Sequence, residues 1–226
     1  MSPRMTAEAR AQLRFSRLRL WAEFLALFLG VPVAMAAFFG QYSLFAVITL
    51  LAFVAAGLLA ITPGFSFREL RKGPVLGEWR LILAFLVTAG PAALLVAWTL
   101  VPERVFLLAT ERTELWLLIM VFYPIASAAP QELIFRPLFF RRYGALFPND
   151  GVAVLANAVA FGIGHLFFMN AITIGLTMIV GVVFALAYLR HRSFLLAVVL
   201  HGLAGQIVFT VGLGIFFYHG AVGTAP

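Results

Sequence analysis

Five stretches of this chain contain no Asp, Glu, Lys or Arg at all: Leu44–Ile61, Leu81–Val101, Val152–Phe168, Ala171–Leu189 and Phe194–Tyr218. Runs of about 20 apolar residues match the thickness of a bilayer's hydrocarbon core when wound as helix, and little else can bury them. Two further stretches, Leu20–Phe39 and Leu115–Phe140, are as apolar but carry a few charges. A transmembrane barrel requires alternation in segments of about ten residues, whereas these runs are continuous. The expected fold is therefore all-α, a polytopic membrane bundle of about 7–8 transmembrane helices. Composition agrees: 63% of residues are hydrophobic and 11% charged, with a mean hydropathy of +1.04.

Charge sets the expected orientation. Fourteen of the sixteen Lys and Arg residues fall in the N-terminal tail, the Thr62–Arg80 loop, the Arg136–Arg142 region and the pair Arg190 and Arg192. Only Arg104 and Arg112 lie on the other side. The positive-inside rule then puts the N-terminus in the cytoplasm. The same bias accounts for the net charge of +7, and no basic stretch interleaved with stacking aromatics suggests nucleic acid. The first apolar run follows five arginines without a small-residue cleavage site, so it reads as a retained span. The loop Thr62–Arg80 is amphipathic and basic, suited to the inner leaflet. Cysteine is absent, which removes disulfides and thiol chemistry. No repeat or linker divides the chain, so 1–226 is read as a single membrane domain with a basic cytoplasmic tail over 1–19 and motif-bearing helices over 115–218.

Ionisable groups at membrane depth are costly and mark functional sites by default. With the loops set aside, these are Glu132, Arg136, His165 and His201, accompanied by Gln131, Asn157 and Gln206. Glu23 lies close enough to the cytoplasmic end to reach water, and His191 and His219 are expected to be solvated. Glu132 and Arg136 are four residues apart and share a helix face. The "FPNDG" turn from Phe147 to Gly151 makes the flanking helices an antiparallel hairpin. Glu132 and His165 then lie at similar depth, each about 21 Å from the turn at 1.5 Å per residue. His201 is nominally shallower and needs a kink or tilt to join them. Pro130 and Pro137 are expected to kink the first of these helices. Glycines 162, 164, 202 and 205 clear space beside the histidines.

Such a cluster has a bland reading, a buried polar network that locks helix packing. It has two chemical ones. A carboxylate beside an imidazole can activate water as general base, with a second imidazole or an amide donating to the oxyanion. Alternatively, Glu132, His165 and His201 form a three-ligand set for catalytic zinc. Either route hydrolyses an acyl bond, most plausibly a peptide. A carrier using Glu132 as a proton site is a third class, but no two similar halves are visible.

The stretches "QELIFR", "FGIGH" and "HGLAG" resemble, in order and spacing, the motifs Glu-Glu-x-x-x-Arg, Phe-x-x-x-His and His-x-x-x-Asn of the CAAX prenyl protease and bacteriocin-processing family of intramembrane proteases. The resemblance covers Tyr123 to about Gln206. It implies an eight-helix-like membrane core with an internal cavity, and endoproteolysis near the terminus of a membrane-associated protein or peptide. Glu132, Arg136, Phe161, His165 and His201 match motif positions. The implied catalytic residues are Glu132, His165, His201, Arg136 and Gln131. The cofactor is either a divalent metal such as zinc or none, and the expected compartment is the bacterial cytoplasmic membrane. Two positions depart from the pattern. Gln131 stands where the family has its first glutamate, and Gly205 where it has an amide. Gln131 fits three cases: a subgroup in which Glu132 takes the base role, an inactive relative, or an inactivating substitution. The alternative function is thus a catalytically inactive membrane protein acting in immunity, sorting or as an accessory subunit.

Overall fold

The computed structural model describes residues 7–38 and 44–217, and every element those residues form is helical. Arg4, Phe39, Tyr218 and His219, and the side chains of Arg10 and Arg14, lie outside the described residues. The described residues of the seven apolar segments are mainly helical, with the last one interrupted by a turn at Val211 and Gly212. α1 (Ala7–Leu25) passes through a π-helical turn at Ala26–Gly30 into α2 (Val31–Phe38). α3 (Leu44–Ala60) and α4 (Trp79–Leu100) follow, then the short α5 (Leu107–Glu111). α6 (Thr113–Tyr123), α7 (Ala129–Leu133) and two π-helical stretches, Pro124–Ala128 and Ile134–Tyr143, form one continuous rod. α8 (Asp150–Gly164), α9 (Ala171–His191) and α10 (Phe194–Thr210) complete the bundle.

Among the described residues, five helices are long and apolar enough to cross a membrane: Ser16–Phe38, Leu76–Leu100, Thr113–Leu146, Asp150–Phe168 and Ala171–His191. Leu44–Ala60 and Phe194–Thr210 are apolar but shorter. From Ala7, the first described residue, helix runs continuously into the span Ser16–Phe38.

The rod from Thr113 to Leu146 positions the site, and its proline content explains its winding. Proline has no N–H, so Pro124, Pro130 and Pro137 each remove a donor from the α-helical ladder. The rod answers with π-helical turns next to Pro124 and around Pro137. A π turn closes i→i+5 bonds and so holds more residues than an α turn. The rod ends at the expected turn, where Asn149 Oδ1 accepts from Val152 N at 2.9 Å and caps α8.

α8 packs along α9, while α10 packs on α9 and on the Pro124–Ala128 stretch. α3 lies against α7 and Ile134–Tyr143. A buried aromatic cluster of Phe24, Phe28, Phe135, Phe139 and Tyr143 ties the first helix to the rod. At the basic end, Arg142 binds Glu23 Oε2 through Nη2 at 2.6 Å and Nε at 2.9 Å. Glu23 also takes Arg19, so it is anchored by two arginines. Arg141 reaches Gly64 O and Glu69 in the Thr62–Arg80 loop, and half-buried His191 meets Glu78 at 2.8 Å.

Candidate active site

Arg136 is the largest fully buried side chain among the described residues, and the site is organised around it. Its Nε donates to Glu132 Oε2 at 2.7 Å and its Nη2 to Glu132 Oε1 at 3.3 Å. Its Nη1 donates to Asn157 Oδ1, and Asn157 Nδ2 donates to the Phe135 carbonyl at 2.6 Å. The guanidinium also lies over the rings of Phe161 and Phe184, at 5.2 and 5.8 Å. Each of the three guanidinium nitrogens thus has a partner, as burial away from water demands.

Glu132 is equally enclosed. Beyond Arg136, its Oε1 meets His201 Nδ1 at 2.9 Å. The carboxylate therefore pairs with His201, not with the expected His165. π winding supplies the reason. Because Ile134–Tyr143 holds more residues per turn, Glu132 lies nearer the basic end of the rod than an α-helix would put it. His201, eight residues into α10 from the same end, is then level with it.

His165 caps the C-terminus of α8. Its Nδ1 bonds the Phe161 carbonyl at 2.7 Å, and its ring packs on Phe161 and Phe168. A carbonyl oxygen only accepts, so Nδ1 carries the proton and a neutral His165 presents Nε2 as an acceptor. No described residue hydrogen-bonds that Nε2. Gln131 donates through Nε2 to Ser127 Oγ at 2.9 Å.

His165, His201, Gln131, Ser127 and Tyr123 all line one cavity of about 2100 Å³. Its remaining wall is mostly apolar side chains from α2, α3, α4, α6 and α9. Glu132, Arg136 and Asn157 stand behind this wall and do not line it.

As a ligand set, Glu132, His165 and His201 do not fit a metal ion. No group of three or more His, Asp and Glu side chains among the described residues is arranged to hold one. Both carboxylate oxygens of Glu132 are already engaged by Arg136 and His201.

Of the neutral companions, Asn157 joins the site through Arg136. Gln206 does not: its Nε2 donates to the Met120 carbonyl at 2.7 Å. Tyr123 is the residue that sequence reasoning passed over. Its hydroxyl lies 3.2 Å from His201 Nε2, across 78 residues of chain. Nothing in its own helix distinguishes it from a lipid-facing aromatic. The one clue is Gly205, the position where an amide was expected and none is found.

Residues 113–207 match a family model described as "Type II CAAX prenyl endopeptidase Rce1-like". The matched stretch holds all five expected catalytic residues, and the match bears out the resemblance seen in the three motifs. Over these residues the chain is similar to a protease family, and its apolar helices make it an integral membrane protein. No curated protein and no solved structure matches the chain.

Proposed function

We propose that this Rce1-like chain is an intramembrane endopeptidase, hydrolysing a peptide bond near the terminus of a membrane-associated protein or peptide. The observation that carries the reading is the bond between Glu132 Oε1 and His201 Nδ1 at the wall of the cavity. A carboxylate at Nδ1 fixes the imidazole's tautomer and stabilises the imidazolium that forms when Nε2 takes a proton. His201 is thus the general base and Glu132 its orienting partner. Arg136 balances the charge of Glu132, which leaves the resting site near neutrality.

His165 has only a carbonyl behind it and is the weaker base. It orients the attacking water, which donates to its Nε2. Gln131 cannot act as a base, but an amide can donate to a developing oxyanion. One of its Nε2 hydrogens is on Ser127 and the other is available to a carbonyl oxygen in the cavity. The apolar remainder of the cavity suits a substrate tethered in lipid. In this arrangement the His201–Glu132 pair activates the water without a metal. We assign the basic end, and with it the N-terminus, to the cytoplasmic face of a bacterial membrane, because fourteen of the sixteen Lys and Arg residues gather there.

The test is cleavage by purified protein in liposomes, using peptides anchored by a lipidated cysteine or by a transmembrane segment, with fragments read by mass spectrometry. Wild type is expected to release a terminal fragment. His201→Gln and His165→Gln are expected to lose cleavage by at least ~100-fold while keeping a native elution profile. Intact peptides throughout the wild-type series refute the reading.

A second reading, a non-catalytic immunity, sorting or accessory protein on the same scaffold, is favoured by Gln131 alone. If Gln131→Glu creates cleavage that the wild type lacks, the scaffold is a protease whose base has been lost.

A further inference from the structure

Tyr123 stands beside His201 in the cavity wall, and its place there is built rather than incidental. Its ring lies against bare backbone at Gly205 of α10. A Cβ added at 205 would sit 2.0 Å from Cε1 of the tyrosine and 2.4 Å from Cζ. Only glycine leaves room at that position, four residues after His201. Phe209 closes the ring from the side, with centroids 5.7 Å apart. The hydroxyl is thereby held 3.2 Å from His201 Nε2.

Hydrogen-bond direction follows from the partners. The Glu132 carboxylate only accepts, so Nδ1 of His201 carries a proton. Glu132 and Arg136 already cancel, and a neutral His201 avoids a net buried charge. Nε2 is then an acceptor, and Tyr123 donates to it. Ser127 also hydrogen-bonds the Tyr123 hydroxyl, which leaves one lone pair of Oη for a group in the cavity that Tyr123 lines. His201 lines the same cavity, and this oxygen is the polar atom placed on its Nε2 at the wall.

We propose that Tyr123 is a proton relay between the attacking water and the Glu132–His201 pair. The proposal rests on the endopeptidase reading. As the water oxygen bonds to the carbonyl carbon, one of its protons passes to Tyr123 Oη. The tyrosine's own proton passes at the same time to His201 Nε2, and Glu132 holds the imidazolium that results. On collapse of the tetrahedral intermediate the path runs in reverse. Tyr123 delivers a proton to the leaving nitrogen and recovers one from His201. The C–N bond breaks, giving one carboxyl and one amine, with water as the sole co-reactant. The hydroxyl therefore occupies the place left by the side chain that Gly205 lacks.

Tyr123→Phe tests this directly, because it removes one oxygen and leaves the ring that fills the notch at Gly205. Expected is a fall in kcat of about 100-fold or more, with KM and the unfolding midpoint unchanged. A variant with unaltered kcat overturns the relay and leaves the endopeptidase reading standing. A wild type that cleaves no anchored peptide overturns both. A second measurement does not depend on turnover: in ¹⁵N-histidine-labelled protein, the His201 Nε2 resonance is expected to move in Tyr123→Phe. An unmoved resonance shows that the hydroxyl does not donate to Nε2 and overturns the relay.

Discussion

Replacing Arg136 by methionine keeps most of the side-chain volume and removes the charge, so it isolates what the buried guanidinium contributes. The variant loses the bonds at 2.7 and 3.3 Å to Glu132, the bond to Asn157 and the contacts with Phe161 and Phe184. Bonds to charged groups contribute about 1.5–3 kcal/mol each, so a simple sum over the three runs to about 4.5–9 kcal/mol. That sum overshoots, because the wild type also bears the desolvation of the guanidinium, which the variant escapes. The larger effect is the fully buried Glu132 left without its counter-charge. Removing one partner of such a pair costs about 3–5 kcal/mol. At about 2–4 °C per kcal/mol for a chain of this size, the unfolding midpoint should fall by roughly 10 °C. The four tryptophans report the transition by fluorescence in detergent micelles. Glu132→Gln/Arg136→Met should recover to within about 1 kcal/mol of wild type, since a pair replaced as a unit leaves no stranded charge. Asn157 Oδ1 loses its donor in both variants and cancels from that comparison. A single variant that costs under about 1 kcal/mol, or a double variant less stable than the single one, refutes the reasoning.

Other outcomes follow from the same geometry. Gly205→Ala drives a Cβ into the Tyr123 ring at 2.0 Å and should destabilise by about 1–3 kcal/mol, as overpacking does; thermal melts decide it. Asn157→Ala removes an acceptor from Arg136 and a donor to the Phe135 carbonyl. It should cost about 1–3 kcal/mol and lower cleavage less than His201→Gln does, which paired melting and activity measurements will show. Exhaustive chelation should leave the cleavage rate within about twofold, given that both oxygens of Glu132 already accept from Arg136 and His201; loss of activity restored by zinc would contradict the site's assignment.

Hydropathy made the helices legible, because a stretch such as Ala171–Leu189 without a charge has no alternative to a helix in lipid. The Glu132–Arg136 pair was legible too, since i, i+4 partners of opposite charge meet on any regular helix. The turn at Phe147–Gly151 and its Asn149 cap followed from local chemistry. The choice between His165 and His201 as the partner of Glu132 did not. It depends on how many residues the rod packs into each turn between Ile134 and Tyr143, and prolines signal a disruption without stating its register. Tyr123 was invisible for another reason. Its role comes from a contact with α10 made across 78 residues, and a tyrosine in an apolar helix has no local pattern that announces it.

The π-helical stretch Ile134–Tyr143 also couples two ends of the molecule that hydropathy treats as separate. Just before it stands Glu132; in its last turn, Arg142 is clamped to Glu23 of the first helix. Adjacent residues of an α-helix are turned about 100° from each other. Dropping one residue from this stretch, so that it rewound as α-helix, would turn Glu132 and the Arg142 clamp out of phase by about that angle. The chain could then keep its anchor or its buried pair, but not both. Between residues 134 and 143 the number of residues is therefore as much a part of the site's specification as their identities. Substitutions there should be tolerated far more readily than single-residue deletions.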